Sequence, residues 1–361
     1  MTEANPGLPP APELLPWHES AVRQLQSAWA SAHLPHALLM QGADGLGKKA
    51  LAAWLACAVL CECSTTALQH CGECVNCKLT AAGSHPDLLW IEPEEDKQQI
   101  SVDQVRAATE RLGKTSYMHG YKIAVFAPAH QMTNNAANSL LKTLEEPPPR
   151  SLLILIMSRP SALAPTLRSR CQRIVVERPT QAAALDWLQQ RSGGTVSPQL
   201  LEFAGGAPLR ALEANAGGAF DDLDKRMTLS LAALLKGDAD VTQIAGEWSG
   251  KDLPLSDRLT WLDLWLTSQA RAAIAGTADL VTFPTRPAHL PSLPHTLNIS
   301  TVYSMVDRLR ELKAQLTRTA LQRELAVESW LVALLETLSP PRLPIQWPSR
   351  GTSLQESRHT R

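Results

Sequence analysis

The feature that most constrains this 361-residue chain is a glycine loop at a strand-to-helix junction. The apolar run His36–Gln41 leads into Gly42-Ala43-Asp44-Gly45-Leu46-Gly47-Lys48, and the helical Ala50-Leu51-Ala52-Ala53-Trp54-Leu55 follows. Strand, loop, lysine and helix come in the order a phosphate-binding loop requires. In such a loop the glycines let backbone N–H groups converge on phosphate oxygens, the helix N-terminus adds its dipole, and the lysine neutralises the outer phosphates. Gly42, Gly45, Gly47 and Lys48 are therefore the candidate nucleotide-binding residues. Strand-like runs at His36–Gln41, Leu88–Ile91, Ile123–Phe126 and Leu152–Met157 alternate with helical patterns, which predicts a parallel sheet with crossover helices.

Two substitutions argue that this pocket does not hydrolyse nucleotide. The residue after the loop lysine should be Ser or Thr, whose hydroxyl holds magnesium, but it is Lys49, an ammonium that repels a cation. The strand Ile123–Phe126, where an ATPase ends in acidic residues that hold metal and orient water, is followed by Ala127-Pro128. Neither side chain can bind a metal or accept a proton. Passive ATP binding stays open.

Cys71, Cys74 and Cys77 stand at two-residue spacing, and a fourth thiol lies upstream at Cys61 or Cys63. Thiolates so spaced suit a closed, tetrahedral structural zinc site. In a reducing compartment such a cluster means metal sooner than disulfides. Cys57 and Cys171 fall in apolar contexts and read as buried bystanders.

With 34 basic and 35 acidic residues the formal charge is −1, so no bulk positive field argues for a protein that holds nucleic acid by itself. The longest apolar run, Ala50–Cys61, is too short to span a bilayer, and the Pro-rich start lacks an export pattern. The expected location is cytoplasmic, with no membrane partner. Residues 1–16 and 339–361 read as disordered tails. A capping box at Ser101 and Gln104 predicts a helix carrying Val102, Val105, Thr109 and Leu112 on one face, and a second helix runs from about Asn135 to Leu144 before Pro147-Pro148-Pro149. After Arg178-Pro179 the strand signals vanish. A stripe of Val302, Met305, Val306, Leu309, Leu312 and Leu316, continued by Leu321, Leu325, Leu331 and Leu335, reads as bundle core.

The segments Leu34-Pro35-His36-Ala37-Leu38-Leu39, the glycine loop, the cysteines, Ser101-Val102-Asp103-Gln104-Val105-Arg106, Asn138-Ser139-Leu140-Leu141-Lys142-Thr143-Leu144-Glu145-Glu146-Pro147-Pro148 and Leu167-Arg168-Ser169-Arg170-Cys171 together resemble the clamp-loader subunits of bacterial DNA polymerase III. The likeness is dense from Leu34 to about Val176 and thin beyond. It implies an α/β AAA+ domain over residues 17–178 with a zinc-binding insertion at about 61–80, a small helical lid over 179–217, and a C-terminal all-α collar domain over 218–338. Motor subunits of this family keep the Ser/Thr and an acidic pair. Lys49 and Ala127-Pro128 make this chain similar to the inactive, delta-prime-type stator.

By the same resemblance, Arg170 is an arginine finger that acts in trans on ATP held by a neighbouring motor subunit. Ser158 and Arg210 fall near the family's two nucleotide-sensing positions. Cys61, Cys71, Cys74 and Cys77 are the candidate zinc ligands, with Cys63 the alternative to Cys61. The implied partners are gamma/tau motor subunits, delta, the beta sliding clamp and primer-template DNA. Two rivals remain: an active AAA+ motor subunit, and a zinc-dependent nucleic-acid-binding protein. The latter wants basic or aromatic residues between the thiols, where Glu73, Val75 and Asn76 stand before a lone Lys78.

Overall fold

Strands buried on both faces read as unbroken apolar runs, because crossover helices cover a parallel sheet from either side. The computed structural model describes residues 13–64, 67–158, 163–194, 196–250, 252–275, 299–318 and 322–338. In it, β1 (Ala37–Gln41), β2 (Leu88–Ile91), β3 (Lys122–Phe126) and β4 (Ser151–Met157) coincide with the four predicted runs. A fifth strand, β5 (Gln172–Val175), was not predicted. Only its Ile174 is buried while Gln172, Arg173 and Val175 are exposed, so it carries no apolar run. Parallel pairing with β1, Leu38 opposite Gln172, sets its place. All pairings are parallel, in the order β2-β3-β4-β1-β5.

The strand period of two sorts the core into two layers. Leu38, Met40, Leu88, Trp90, Ile123, Val125, Leu152, Ile154, Ile156 and Ile174 face α1 (Glu19–Ala30) and α2 (Lys48–Leu60). Their strand neighbours Leu39, Leu89, Ala124, Phe126, Leu153 and Leu155 face the other layer, made by α4 (Val102–Gly113) and α5 (Asn134–Glu145). Between α2 and α4 in sequence comes α3 (Val75–Ala81), which packs on α2. Removing one of the fully buried leucines costs about 2–5 kcal/mol.

Helix ends follow local chemistry. The Ser101 hydroxyl accepts from Gln104 N–H at 3.3 Å and the Gln104 side chain accepts from Ser101 N–H at 2.9 Å, so the predicted capping box forms. Val105, Ala108 and Leu112 make the buried face of α4, with Val102 and Thr109 half-buried. Thr133 caps α5, its hydroxyl accepting from Ala136 N–H at 3.2 Å.

Beyond the sheet, α6 (Pro165–Arg168) precedes β5, and α7 (Gln181–Ser192), α8 (Pro198–Phe203) and α9 (Pro208–Ala214) form a small helical cluster. Residues 1–12 and 339–361 lie outside the described residues. Of the residues read from sequence as the end of a tail, Leu15 is buried, while Pro16 is exposed and opens a short 3-10 turn.

The chain divides into two compact units, residues 1–220 and 221–361. The second unit is helical among the described residues, comprising α10 (Ala219–Lys236) from its third residue on, α11 (Val241–Ser249), α12 (Leu255–Ala275), α13 (Ile299–Arg318) and α14 (Arg323–Leu338). On α13 the predicted stripe is buried from Val302 to Leu312, with Leu316 half-buried. On α14 it is corrected: Val327, Trp330, Leu331 and Leu334 are buried, Leu335 is half-buried and Leu325 is 58% exposed. The apolar phase does not run on from α13 but restarts with α14 at Arg323; Leu321 lies outside the described residues. Buried Arg258 donates to the Glu247 carbonyl at 3.0 Å, to that of Trp248, and to Asp252 Oδ1 at 2.7 Å, closing the end of α11.

Candidate functional site

The glycine loop lies where a parallel sheet presents ligand sites, at the carboxyl end of β1, and Gly47 caps α2. Gly47 has φ +77°, a region that favours glycine, and a Cβ there would stand 2.4 Å from Leu15 Cδ1. Gly45 has φ +77° as well, and a Cβ would meet the Arg210 backbone nitrogen at 2.7 Å. The Gly45 carbonyl accepts from Leu209 N–H at 3.2 Å, so α9 docks directly on the loop. On the other flank His18 Nε2 donates to the Leu46 carbonyl at 2.8 Å, and Trp17 Nε1 donates to the same oxygen at 3.0 Å. The Leu15 N–H donates to His18 Nδ1, which fixes the proton on Nε2. Burial holds His18 below its usual pKa.

Lys48 is 6% exposed and turns inward. Its Nζ donates to the Ala43 carbonyl at 2.6 Å and lies 3.9 Å from Asp44 Oδ1. Burial lowers its pKa, and the Asp44 charge opposes that shift. Ser158, at the carboxyl end of β4, donates to the same Asp44 oxygen. The Asp44 carboxylate thus lies against both Lys48 and Ser158. The loop from Gly42 to Lys48 lies against Ser158 and Arg210, and Asp44, His18 and Trp17 make contacts there without having been singled out in the sequence. Asp44 stood inside the loop motif; nothing in the sequence linked His18 or Trp17 to it.

Lys49 points elsewhere, its Nζ 2.7 Å from Glu92 Oε1 just beyond β2, and Trp90 Nε1 donates to that oxygen at 2.9 Å. Ala127, after β3, is buried and apolar. At the position of the magnesium-holding hydroxyl there is an ammonium in an ion pair, and no carboxylate stands at Ala127-Pro128.

The thiols of Cys61, Cys71, Cys74 and Cys77 all lie within 4.8 Å of one another. Three sulfur pairs stand at 3.7, 3.9 and 3.9 Å. A tetrahedron with Zn–S of about 2.3 Å has edges of about 3.8 Å, so the cluster fits zinc. Gly72, at φ +76°, turns the chain, and Cys74 N–H donates to Cys71 Sγ at 3.3 Å. Bonds from Cys74 and Glu73 N–H push the Cys71 thiol down to about 6, poised as thiolate. Cys63, the alternative fourth ligand, is not part of this four-thiol set. Cys57 and Cys171 are buried, and burial raises them to about 12 and about 11. The cluster also explains α2, which is apolar all round and needs a cover: α3 supplies one, and Asn76 Nδ2 donates to the orphan Leu60 carbonyl at 2.9 Å.

Arg170 lies at the opposite end of the strands from the loop, at the start of the edge strand β5 that neighbours β1. It precedes β5, whose Gln172 is in register with Leu38, four residues before Gly42. That separation is about 13 Å along the strand before Arg170 is reached. The guanidinium is part-exposed and meets Glu145 Oε1 through Nε at 2.9 Å and Nη2 at 2.6 Å, while Nη1 donates to the Thr166 carbonyl at 3.0 Å. Arg170 therefore does not serve its own loop. Glu145 carried no signal of this pairing beyond its place in the Leu-Glu-Glu-Pro segment.

A family profile described as "DNA polymerase III, delta subunit" matches residues 17–180. The chain is 37% identical over 246 residues to the DNA polymerase III subunit delta' of Pseudomonas aeruginosa, covering 67% of this chain and 74% of that protein. It is 31% identical over 329 residues to the subunit of the same name from Escherichia coli, covering 90% and 96%. Among solved structures, a DNA polymerase III gamma-subunit-related protein from Thermotoga maritima aligns with 18% identity over 88% of this chain and 100% of that one, TM-score 0.43.

Proposed function

Because the chain belongs to the family of DNA polymerase III delta' subunits, we propose that it serves the clamp loader as a non-hydrolysing stator whose Arg170 completes a neighbouring subunit's ATP site. The observation that carries the non-hydrolysing half is the Lys49–Glu92 ion pair at 2.7 Å, with Ala127-Pro128 where carboxylates are needed. Without a hydroxyl or carboxylate to hold magnesium, the charge that develops on a transferring phosphoryl group is uncompensated. Lys48 and Ser158 engaged with loop oxygens disfavour even passive ATP binding.

Arg170, remote from this loop, has the chemistry for a trans-acting role. A planar guanidinium matches phosphoryl oxygens through parallel N–H bonds and stabilises growing negative charge. In trans-acting systems such a finger is worth about three to five decades of rate. In this reading the gamma/tau motor subunits, delta, the beta sliding clamp and primer-template DNA are the partners. Residues 179–217 act as lid, 218–338 join a collar, and the assembly works in the cytoplasm.

Cys61, Cys71, Cys74 and Cys77 hold a structural zinc ion in the same reading. It supplies no catalysis and ties the insertion to the end of α2.

The test is direct. The isolated chain shows no magnesium-dependent ATP turnover, and Arg170→Ala in a reconstituted loader lowers DNA-stimulated ATPase while leaving assembly intact. Metal-dependent turnover by the lone chain that disappears in Lys48→Ala refutes the stator reading. Unchanged loader ATPase with Arg170→Ala refutes the finger.

A further inference from the structure

We propose that Glu145 is the positioning residue that holds Arg170 in its presented orientation, an inference that rests on the trans-acting role of Arg170. Glu145 is the last residue of α5, and Arg170 follows α6, so two separate elements meet at this contact. One carboxylate oxygen, Glu145 Oε1, takes both Nε at 2.9 Å and Nη2 at 2.6 Å, and the Thr166 carbonyl takes Nη1 at 3.0 Å. A guanidinium has five N–H donors. The three contacts engage three of them and leave one on each terminal nitrogen, the two atoms that meet a phosphoryl group side by side.

The arrangement is a clamp and not a latch. A latch would consume the terminal donors and have to break before Arg170 could act. Here the Nε side is tied down while each terminal nitrogen keeps one N–H uncommitted. Arg170 and Glu145 side chains are 37% and 52% exposed, so an incoming subunit can reach the guanidinium without displacing the carboxylate. A free arginine must order a long side chain at the moment of reaction, and the clamp removes part of that cost beforehand.

The experiment compares Glu145→Ala, Glu145→Gln, Arg170→Ala and the Glu145→Ala/Arg170→Ala pair in the reconstituted loader with primed DNA. An exposed ion pair of this kind sets the expected size: Glu145→Ala lowers kcat about threefold to fivefold with KM for ATP and subunit assembly unchanged. Glu145→Gln, whose amide oxygen still accepts from Nε–H, recovers most of the loss. The pair is no slower than Arg170→Ala alone.

If Arg170→Ala is slow and Glu145→Ala is as fast as wild type or faster, the clamp is wrong and the finger stands. The clamp is equally wrong if Glu145→Ala slows the Arg170→Ala background further, since Glu145 then acts through something else. If Arg170→Ala itself changes nothing, the finger and the clamp fall together. Should Glu145→Ala fail to assemble, a kcat below one-third of wild type for an assembled Glu145→Gln loader overturns the clamp, and a kcat near wild type supports it.

Discussion

Gly47→Ala probes whether the chain's N-terminal segment is truly seated on the glycine loop. The backbone there is left-handed, φ +77°, which costs about 1–2 kcal/mol for a residue with a side chain. The added Cβ would also stand 2.4 Å from Leu15 Cδ1, too close for any real contact, so Leu15 must move. Leu15 is 6% exposed, and driving it into water forfeits a further 1.5–3 kcal/mol or so. The expected loss is therefore about 2.5–5 kcal/mol. Gly193→Ala is the control, because it has φ +66° with nothing within 4 Å of its Cβ and meets only the backbone part, about 1–2 kcal/mol. Urea unfolding of the full chain, followed by tryptophan fluorescence and circular dichroism, measures both. Leu15→Ala placed in the Gly47→Ala background removes the overlap, so the two changes should sum to less than their separate costs. If Gly47→Ala is no more damaging than Gly193→Ala, Leu15 does not pack on the loop and the account of His18 and Trp17 as its flank fails.

Three further outcomes are expected. Cys61→Ser abolishes stoichiometric zinc in the purified chain while Cys63→Ser leaves it unchanged, as measured by metal analysis after dialysis. Burial depresses His18 and His85 below the ordinary 6.5, so the unfolded chain binds more protons as pH falls; stability is full above pH 6.5 and declines through the window below it, and urea titrations from pH 7.5 to 5 should show a slope that His18→Gln reduces. Arg258→Ala lowers the stability of the second unit by about 2–4 kcal/mol, because the 2%-exposed guanidinium satisfies several backbone carbonyls and half-exposed Asp252 is left without it; thermal unfolding measures the loss.

What the sequence by itself determined is whatever local chemistry encodes. Four strands were legible because a doubly covered strand must be apolar throughout, and α4 because its capping box is written in Ser101 and Gln104. That an ammonium stands at Lys49 and no carboxylate at Ala127-Pro128 was visible as residue type alone. The tertiary structure decided the rest, and the reason is the same each time: the determining contact joins residues far apart in the chain. β5 exists because it pairs with β1, although its own residues are mostly exposed. Cys61, and not Cys63, joins the thiol set because the end of α2 aims it there. Lys49 finds Glu92 across the sheet, Asp44 takes Ser158 from β4, and Glu145 meets Arg170 only where α5 ends beside the approach to β5. Spacing along the chain records none of these, since each is fixed by how the strands stack and where the helices end.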